Sequence, residues 1–128
     1  PNEVNEITTN CYAWSKETES HYLQISDIGL MPLPMENWSK GKCGGKARTY
    51  MASGLIPVVS NIGYNQDLIK HNVRGFLCND LKDWINCLNL LYTNFELQHT
   101  IRELNFEYVK LNFNKSKIAK QLEVAIIK

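Results

Sequence analysis

The sequence predicts an α/β domain built on a parallel β-sheet, and two features of the chain indicate this fold class. Short apolar runs with the composition of buried strands cover residues 27–33, 55–59 and 75–78. Between and after these runs, apolar residues recur at the spacing of one helix face. This alternation is typical of parallel sheets, whose strands need crossover connections. We therefore expect a Rossmann-like parallel sheet flanked by helices, with residues 1–128 in a single domain.

The first part of the chain is predicted to contain a short strand and a helix. Residues 10–14 are assigned to the strand. Ser15 is the expected N-cap of a helix that reaches about Ser26, with Glu17 and Glu19 near the positive end of the helix dipole. The residues expected to face inward are Tyr22, Leu23 and Ile25.

A buried strand, a loop and a second helix come next. Residues 27–33 (DIGLMPL) form the predicted strand, which ends near Pro32 because proline has no N–H to donate to a sheet. A polar loop over residues 34–43 leads to a helix that begins at Gly44 or Gly45 and ends near Ser53, followed by Gly54 at a left-handed position. Its inward residues are expected to be Ala47, Tyr50 and Met51.

Two more strands complete the predicted sheet. Residues 55–59 (LIPVV) are continuous, apolar and β-branched, which indicates a central strand with Pro57 near its start. A short helix over residues 64–70 follows, and a turn over residues 72–75 leads into the last strand at residues 75–78.

Three amphipathic helices are predicted beyond Asn79, with Asn94 and Ser116 as the caps of the second and third. We expect them to serve packing rather than ligand binding. Their inward residues are expected to be Leu81, Trp84, Ile85, Leu88, Leu91 and Tyr92, then Leu97, Ile101, Leu104 and Tyr108, then Ile118, Leu122, Ala125 and Ile126.

The four cysteines indicate reduced thiols rather than a metal site or a disulfide framework. None of Cys11, Cys43, Cys78 and Cys87 forms a C-x-x-C pair, so the paired spacing of a metal site is absent from the sequence. Cys78 and Cys87 lie among apolar residues and are expected to be buried. The sequence has no apolar run of about 20 residues that could span a membrane. We expect a cytoplasmic protein.

Positive charge is concentrated around a glycine-rich segment. Residues 37–66 contain no carboxylate but include Lys40, Lys42, Lys46 and Arg48. Basic stripes with interleaved aromatic residues are absent, so we expect no nucleic-acid partner. The charge pattern allows two interpretations, a small cationic pocket for one phosphorylated ligand or a solvated lysine-rich loop.

The segment that indicates chemistry is WSKGKCGGKARTYMASG, residues 38–54. It places glycines after a predicted strand and at the N-terminus of a helix, where backbone N–H groups suit phosphate. Gly44 and Gly45 would let a diphosphate approach the backbone, and Lys42 and Lys46 would add positive charge. Neither Gly-Lys pair is followed by Ser or Thr, so this is not a Walker loop. From the pattern alone, a phosphate site and a purely structural strand-to-helix turn both stay open.

Several motifs then occur in a particular order: DIGLMPLP, WSKGKCGGK, YMASG, PVV and GFL. In this order they resemble the C-terminal, nucleotide-sugar-binding lobe of the family-4 (group 1) retaining glycosyltransferases, which have the GT-B fold. The similarity is greatest to a bacterial subgroup with a GKCG-x-K loop. It extends from about Cys11 to the final helix.

This resemblance implies that the site binds a nucleotide-diphosphate sugar, without a metal, a cofactor or a catalytic residue supplied by this lobe. The residues implied to bind the donor are Lys42, Gly44, Gly45, Lys46, Thr49, Gly63 and Asn65. Gly41 and Thr49 stand where the family often has a pair of glutamates, and Thr49 takes the position of the one that binds ribose. The GKCG subgroup also tends to lack this acidic pair.

The resemblance also implies that part of the enzyme precedes this chain. We expect an N-terminal acceptor-binding lobe, so that the chain is a truncated donor-binding domain that is inactive alone and self-associates through an unpaired sheet edge. The whole enzyme would transfer sugar to a glycan or lipid-linked acceptor in cell-envelope polysaccharide biosynthesis, with peripheral membrane association. Two alternatives stay open, a catalytically silent nucleotide-binding module and a GT-B-fold sugar epimerase.

Overall fold

The computed structural model describes residues 9–127, and in this part of the chain seven helices alternate with three strands. In chain order the elements are α1 (Lys16–Ile25), β1 (Ile28–Met31), α2 (Asn37–Lys40), α3 (Gly45–Ala52), β2 (Ile56–Ser60), α4 (Asn65–Leu68), β3 (Phe76–Cys78), α5 (Leu81–Thr93), α6 (Phe95–Asn112) and α7 (Lys115–Ile126).

The three strands form a parallel sheet in the order β1-β2-β3, which confirms the predicted fold class at this level. All five residues of β2 are buried, as expected for a central strand covered on both faces. Pro57 is its second residue and is tolerated because pairing with β3 begins only at Val58. On the other side, the Ile56 N–H donates to the Asp27 carbonyl at 2.9 Å.

Helices cover both faces of the sheet. On one face, α5 and the first half of α6 bury Cys87, Leu91 and Ile101 against Ile56 and Val58. On the other face, α3, α4 and the second half of α6 surround Val59. The side chains buried or partly buried with it include Met31, Ala47, Met51, Leu68, Ile69, Tyr108 and Val109. The site described below lies at the carboxyl end of β1, where the chain passes over this second layer.

Several locally encoded features were predicted correctly. The Ser15 side chain accepts a bond from the Thr18 N–H at 3.1 Å, and Thr18 Oγ1 accepts one from the Ser15 N–H at 2.8 Å, so α1 begins with a capping box. Asn94 caps α6 through the Leu97 N–H. Gly54 follows α3 with a left-handed φ of 82°.

The prediction of a strand at residues 10–14 is wrong. These residues adopt no regular structure and pair with none of the described strands. A strand needs a partner for its backbone groups, whereas this segment runs beside α1 instead. Within residues 9–127, β1 is therefore an edge strand, and Leu30 is exposed although the apolar run predicted a buried strand.

The predicted helix faces were partly wrong. α1 buries no side chain, and its Ile25 is exposed. In α5 and α6 the exposed residues Leu81, Ile85, Tyr92 and Leu104 were expected to face inward. The buried faces include the polar residues Gln98 and Asn105 instead. A three-stranded sheet is too narrow to cover every apolar stripe, so only the stripe nearest the sheet is buried.

Three boundaries also differ from prediction. The loop after β1 contains the short helix α2, and α4 is shorter than the helix expected at residues 64–70. Asn114, not Ser116, caps α7, because its side chain accepts from the Lys117 N–H at 2.9 Å. The expectation that α7 packs into a core is wrong for the described chain, since none of its residues is buried.

Candidate phosphate-binding cleft

A cleft of about 460 Å³ opens between the loop that follows β1 and the N-terminus of α3. It is lined by Leu30, Met31, Pro32, Leu33, Lys42, Cys43, Gly44, Gly45, Lys46 and Tyr50. Its position at the carboxyl end of a parallel strand is where open α/β sheets place ligands. Four of the seven residues predicted to bind the donor, Lys42, Gly44, Gly45 and Lys46, therefore lie together.

The end of β2 holds the loop in place. Ser60 is buried, and its Oγ accepts a hydrogen bond from the Leu33 N–H at 2.8 Å and donates one to the Leu33 carbonyl at 3.0 Å. Asn65 Nδ2 then donates to the Ser60 carbonyl at 3.0 Å. These bonds fix the floor of the cleft relative to the sheet.

Gly44 turns the chain into α3. It has a left-handed φ of 64°, and a Cβ there would lie 3.1 Å from Tyr64 Cδ1 and 3.3 Å from Leu68 Cδ2. Both the conformation and the close packing favour glycine. Gly44 thus has a structural role whether or not a phosphate binds.

The N-terminus of α3 is open to a ligand. No side chain caps it, and its first turn contains no acidic residue. By contrast, side chains of Ser15, Asp80, Asn94 and Asn114 cap the other described helices of ten residues or more. Backbone N–H groups in the first turn of a helix have no intrahelical partner, so those of α3 are available to an anion.

The charge of the cleft is positive. Its lining includes Lys42 and Lys46 and no carboxylate. The Lys42 ammonium lies 3.6 Å from the centre of the Trp38 ring, a cation–π contact that holds this lysine at the edge of the cleft. Lys46 is exposed and lies in the first turn of α3. An anionic ligand would meet both cations and the helix dipole.

The other three predicted residues do not line the cleft. Thr49 Oγ1 donates to the Gly45 carbonyl at 3.1 Å, and the side chain faces a separate groove beside Phe113. Gly63 has a φ of 57°, and a Cβ there would lie 2.7 Å from the Lys40 carbonyl oxygen, so it permits close packing. Asn65 is buried beneath Gly44 rather than exposed in the cleft. Gly41, the position of the missing first glutamate, ends α2 and is exposed.

A second groove of about 300 Å³ adjoins the cleft, and the sequence did not predict it. The two share Leu30, Lys46 and Tyr50 as lining residues. The groove adds aromatic side chains from the segment before α1 and from α1 itself, namely Tyr12, Trp14 and Tyr22. These aromatic residues are close together in the sequence, but no groove was predicted because residues 10–14 were assigned to a strand.

The aromatic walls of this groove are ordered by contacts between them. The Tyr12 and Tyr22 rings stack with their centres 4.2 Å apart. Trp14 is exposed, and its Nε1 donates to Glu19 Oε2 at 3.3 Å. A flat, partly apolar ligand could therefore stack here without a large rearrangement.

Tyr50 is the partition between the two cavities. Its hydroxyl donates to the Leu30 carbonyl at 3.0 Å, and its ring lies directly over Gly29, where a Cβ would overlap it. Burial, with a smaller contribution from the charge of Glu19, raises the pKa of the Tyr50 phenol above its ordinary value. Tyr50 is therefore neutral at pH 7 and acts as a hydrogen-bond donor.

Residues 9–127 contain no cluster of histidine, cysteine and acidic side chains arranged to bind a metal ion. None of the helices described is both long and apolar enough to cross a bilayer.

The fold and the cleft together define an α/β domain with a cationic site at the edge of a parallel sheet. No protein-family profile matches the chain, and no curated protein sequence matches it either.

Proposed function

We propose that this domain binds the nucleotide-diphosphate part of a nucleotide-sugar donor and forms the donor-binding half of a retaining GT-B glycosyltransferase. The observation that supports this proposal best is the junction of two unlike cavities. A cationic, glycine-lined cleft and an aromatic groove share Lys46 and Tyr50. A ligand with phosphates at one end and a flat ring at the other would occupy both.

The cleft would bind the diphosphate. The N–H groups at the start of α3 would donate to phosphate oxygens, and the ammonium groups of Lys42 and Lys46 would neutralise their charge. In sugar transfer the bond between the anomeric carbon and the diphosphate breaks, and negative charge grows on the leaving phosphate. Fixed donors and cations stabilise that charge, which lowers the barrier.

The groove would bind the nucleoside. The exposed side chains of Tyr12 and Trp14 offer ring faces on which a base could stack. Stacking of this kind accepts different bases, because every base has a flat aromatic face. The Tyr50 hydroxyl is already bonded to the Leu30 carbonyl, so Tyr50 contributes mainly its ring to the walls.

The acceptor would be bound by an N-terminal lobe, as the resemblance in the ordered motifs implies. Closure of the two lobes would exclude water and limit hydrolysis of the donor. Because Thr49 faces away from the cleft, we do not assign it the ribose contact that the resemblance implied. On this proposal the 128-residue chain binds donor weakly and transfers no sugar by itself.

Calorimetry on the 128-residue chain tests the two cavities separately. Uridine and guanosine diphosphates and inorganic pyrophosphate are the ligands. Lys46→Ala should weaken binding of all three by about tenfold, because it removes a charge-assisted contact to phosphate. Trp14→Ala should weaken the nucleotides by about tenfold and leave pyrophosphate unchanged, since stacking is lost. Lys82→Ala, outside both cavities, is the matched control.

A chain that binds none of these ligands at millimolar concentration would refute the proposed donor site. Equal losses of pyrophosphate and nucleotide binding in Trp14→Ala would refute the division between the cavities. Transfer itself is tested on the full-length protein with a panel of sugar donors, where Lys46→Ala should lower turnover at least about tenfold. Donor binding without transfer or hydrolysis would favour the silent binding module, and formation of an epimeric sugar would favour the epimerase.

A further inference from the structure

Glu19 brings a carboxylate into the aromatic groove, and among the described residues that line the groove it is the acidic one. Its Oε2 accepts a hydrogen bond from Trp14 Nε1 at 3.3 Å, while Oε1 has no hydrogen-bond partner within residues 9–127. Neither ion pair of this part of the chain includes Glu19. An ionised carboxylate offers about four acceptor positions and donates no hydrogen bond, so most of its capacity is free for a ligand.

Two hydroxyl groups on the walls of the groove are already committed to the chain. Thr18 Oγ1 donates to the Ala13 carbonyl at 3.1 Å, and the Tyr50 hydroxyl donates to the Leu30 carbonyl at 3.0 Å. Burial, followed by the charge of Glu19, raises the pKa of Tyr50, so the carboxylate also acts on the wall that α3 contributes. The polar edge of a ligand bound here would therefore be selected mainly by Glu19.

We propose that Glu19 makes the groove selective for guanine by accepting hydrogen bonds from the N1–H and the 2-amino group of the base, an inference that rests on the proposed function. Guanine presents these two donors side by side, which matches the two oxygens of a carboxylate. Adenine and cytosine present one amino group beside a ring nitrogen that accepts. Uracil presents one N–H between two carbonyl oxygens. In these three bases an acceptor would face the carboxylate and be repelled by it.

The position of Glu19 favours a contact with the base rather than with the ribose. Glu19 lines the groove but not the phosphate-binding cleft, and it is bonded to Trp14, one of the rings on which the base would stack. The ribose joins the base to the diphosphate, so it would lie near Lys46 and Tyr50, which line both cavities. The charge of Glu19 also disfavours a reversed ligand, because phosphates placed in the groove would meet a like charge.

The test is calorimetry on the 128-residue chain with the diphosphates of guanosine, inosine and uridine and with pyrophosphate. Inosine differs from guanosine only in lacking the 2-amino group. Guanosine diphosphate should bind about tenfold more tightly than either of the other nucleotides, because it alone makes both bonds to the carboxylate. Glu19→Gln should bring the three nucleotides within about threefold of one another, since an amide N–H would then face a donor of guanine. Pyrophosphate, which reaches only the cleft, should bind equally to parent and variant.

Glu17→Gln is the matched control, because it removes the same charge from the first turn of α1 without changing the lining of the groove, and it should keep the preference for guanine. Circular dichroism checks the fold of both variants, which is expected to be retained because α1 buries no side chain. Equal affinities for the three nucleotides in the parent, or a preference for guanine that survives in Glu19→Gln, would overturn the inference and leave the donor site standing.

A chain that binds neither pyrophosphate nor any nucleotide would overturn the inference together with the proposed function. The 2′-deoxy form of guanosine diphosphate separates the base from the ribose as the partner of Glu19. We expect it to lose the same affinity in the parent and in Glu19→Gln. A loss that occurs in the parent and disappears in the variant would assign the carboxylate to the ribose and overturn its role in base selection.

Discussion

Replacement of Gly29 by alanine tests how the Tyr50 partition is built. Gly29 lies in β1 with an ordinary backbone conformation, so the reason for glycine is space rather than a positive φ. A Cβ at this position would overlap three atoms of the Tyr50 ring, which is held by the bond from its hydroxyl to the Leu30 carbonyl. The ring has to move away for the methyl group to fit.

The expected loss follows from these contacts. Insertion of a methyl group into a packed site costs about 1–3 kcal/mol. Loss of the Tyr50 hydrogen bond adds about 1 kcal/mol. In a strand, alanine raises the free energy of unfolding by about 0.5–1 kcal/mol relative to glycine, because the unfolded chain has less conformational entropy to lose. We therefore expect Gly29→Ala to lower the free energy of unfolding by about 1–3 kcal/mol, a large part of the stability of a small domain.

Urea denaturation measures this loss, and a shift of the midpoint by about 1 M is expected for a domain of this size. Gly41→Ala is the matched control, because Gly41 has a φ of −80° and a Cβ there would only meet the Trp38 carbonyl oxygen at 3.5 Å. Its stability should stay within about 0.5 kcal/mol of the parent. In a Tyr50→Ala background, which removes the ring, Gly29→Ala should cost nothing further. Equal losses in both backgrounds would refute the reasoning.

Three further predictions concern buried thiols, a buried amide and a helix cap. Burial, followed by the neighbouring Cys87 thiol, raises the pKa of Cys78 to about 12. A thiol reagent at pH 8 should therefore label the exposed Cys43 and leave Cys78 unlabelled until urea unfolds the chain. Since the unfolded thiol ionises near its ordinary pKa of 9.0, the contribution of this thiol to stability should be complete below that pH and be lost as pH rises from 9 toward 12. A free energy of unfolding that does not fall over that range would contradict this assignment. Neither polar atom of the Asn105 side chain has a hydrogen-bond partner in the described chain, so Asn105→Leu should raise the free energy of unfolding in urea by about 1 kcal/mol, and a lower value would show that the amide is satisfied. Asn114→Ala should speed amide exchange in the first turn of α7, where removal of a cap costs about 1 kcal/mol, whereas Ser116→Ala should not, and equal effects would refute the cap assignment.

Much of the chain could be predicted from short stretches of sequence, because the forces that decide those features act between near neighbours. Ser15 bonds a backbone group three residues on, and Gly54 follows its helix in a conformation that suits glycine. The strand at residues 56–60 is apolar up to Ser60 and is buried throughout, so its central place in the sheet was visible in its composition. The glycine-rich segment was likewise placed correctly at the start of a helix.

Which residues line the site was decided by how parts of the chain that are distant in sequence pack together. Thr49 follows Gly45 by four residues, yet one helical turn separates its side chain from the cleft. The residues of the aromatic groove come from three separate parts of the chain, and Tyr12 and Tyr50 line it together although they are far apart in the sequence. No local pattern encodes such a meeting, which is why the groove was missed.

The sequence by itself determined that this protein is α/β, where its buried strands lie, and which glycines and lysines begin α3. Tertiary structure alone decided that residues 10–14 form no strand, that the exposed side of α5 includes Leu81, and that α7 is uncovered. The physical reason is the same in each case. Periodicity shows that a segment has an apolar face or a strand-like composition, but burial and strand pairing require a second surface, and the fold determines whether one is present.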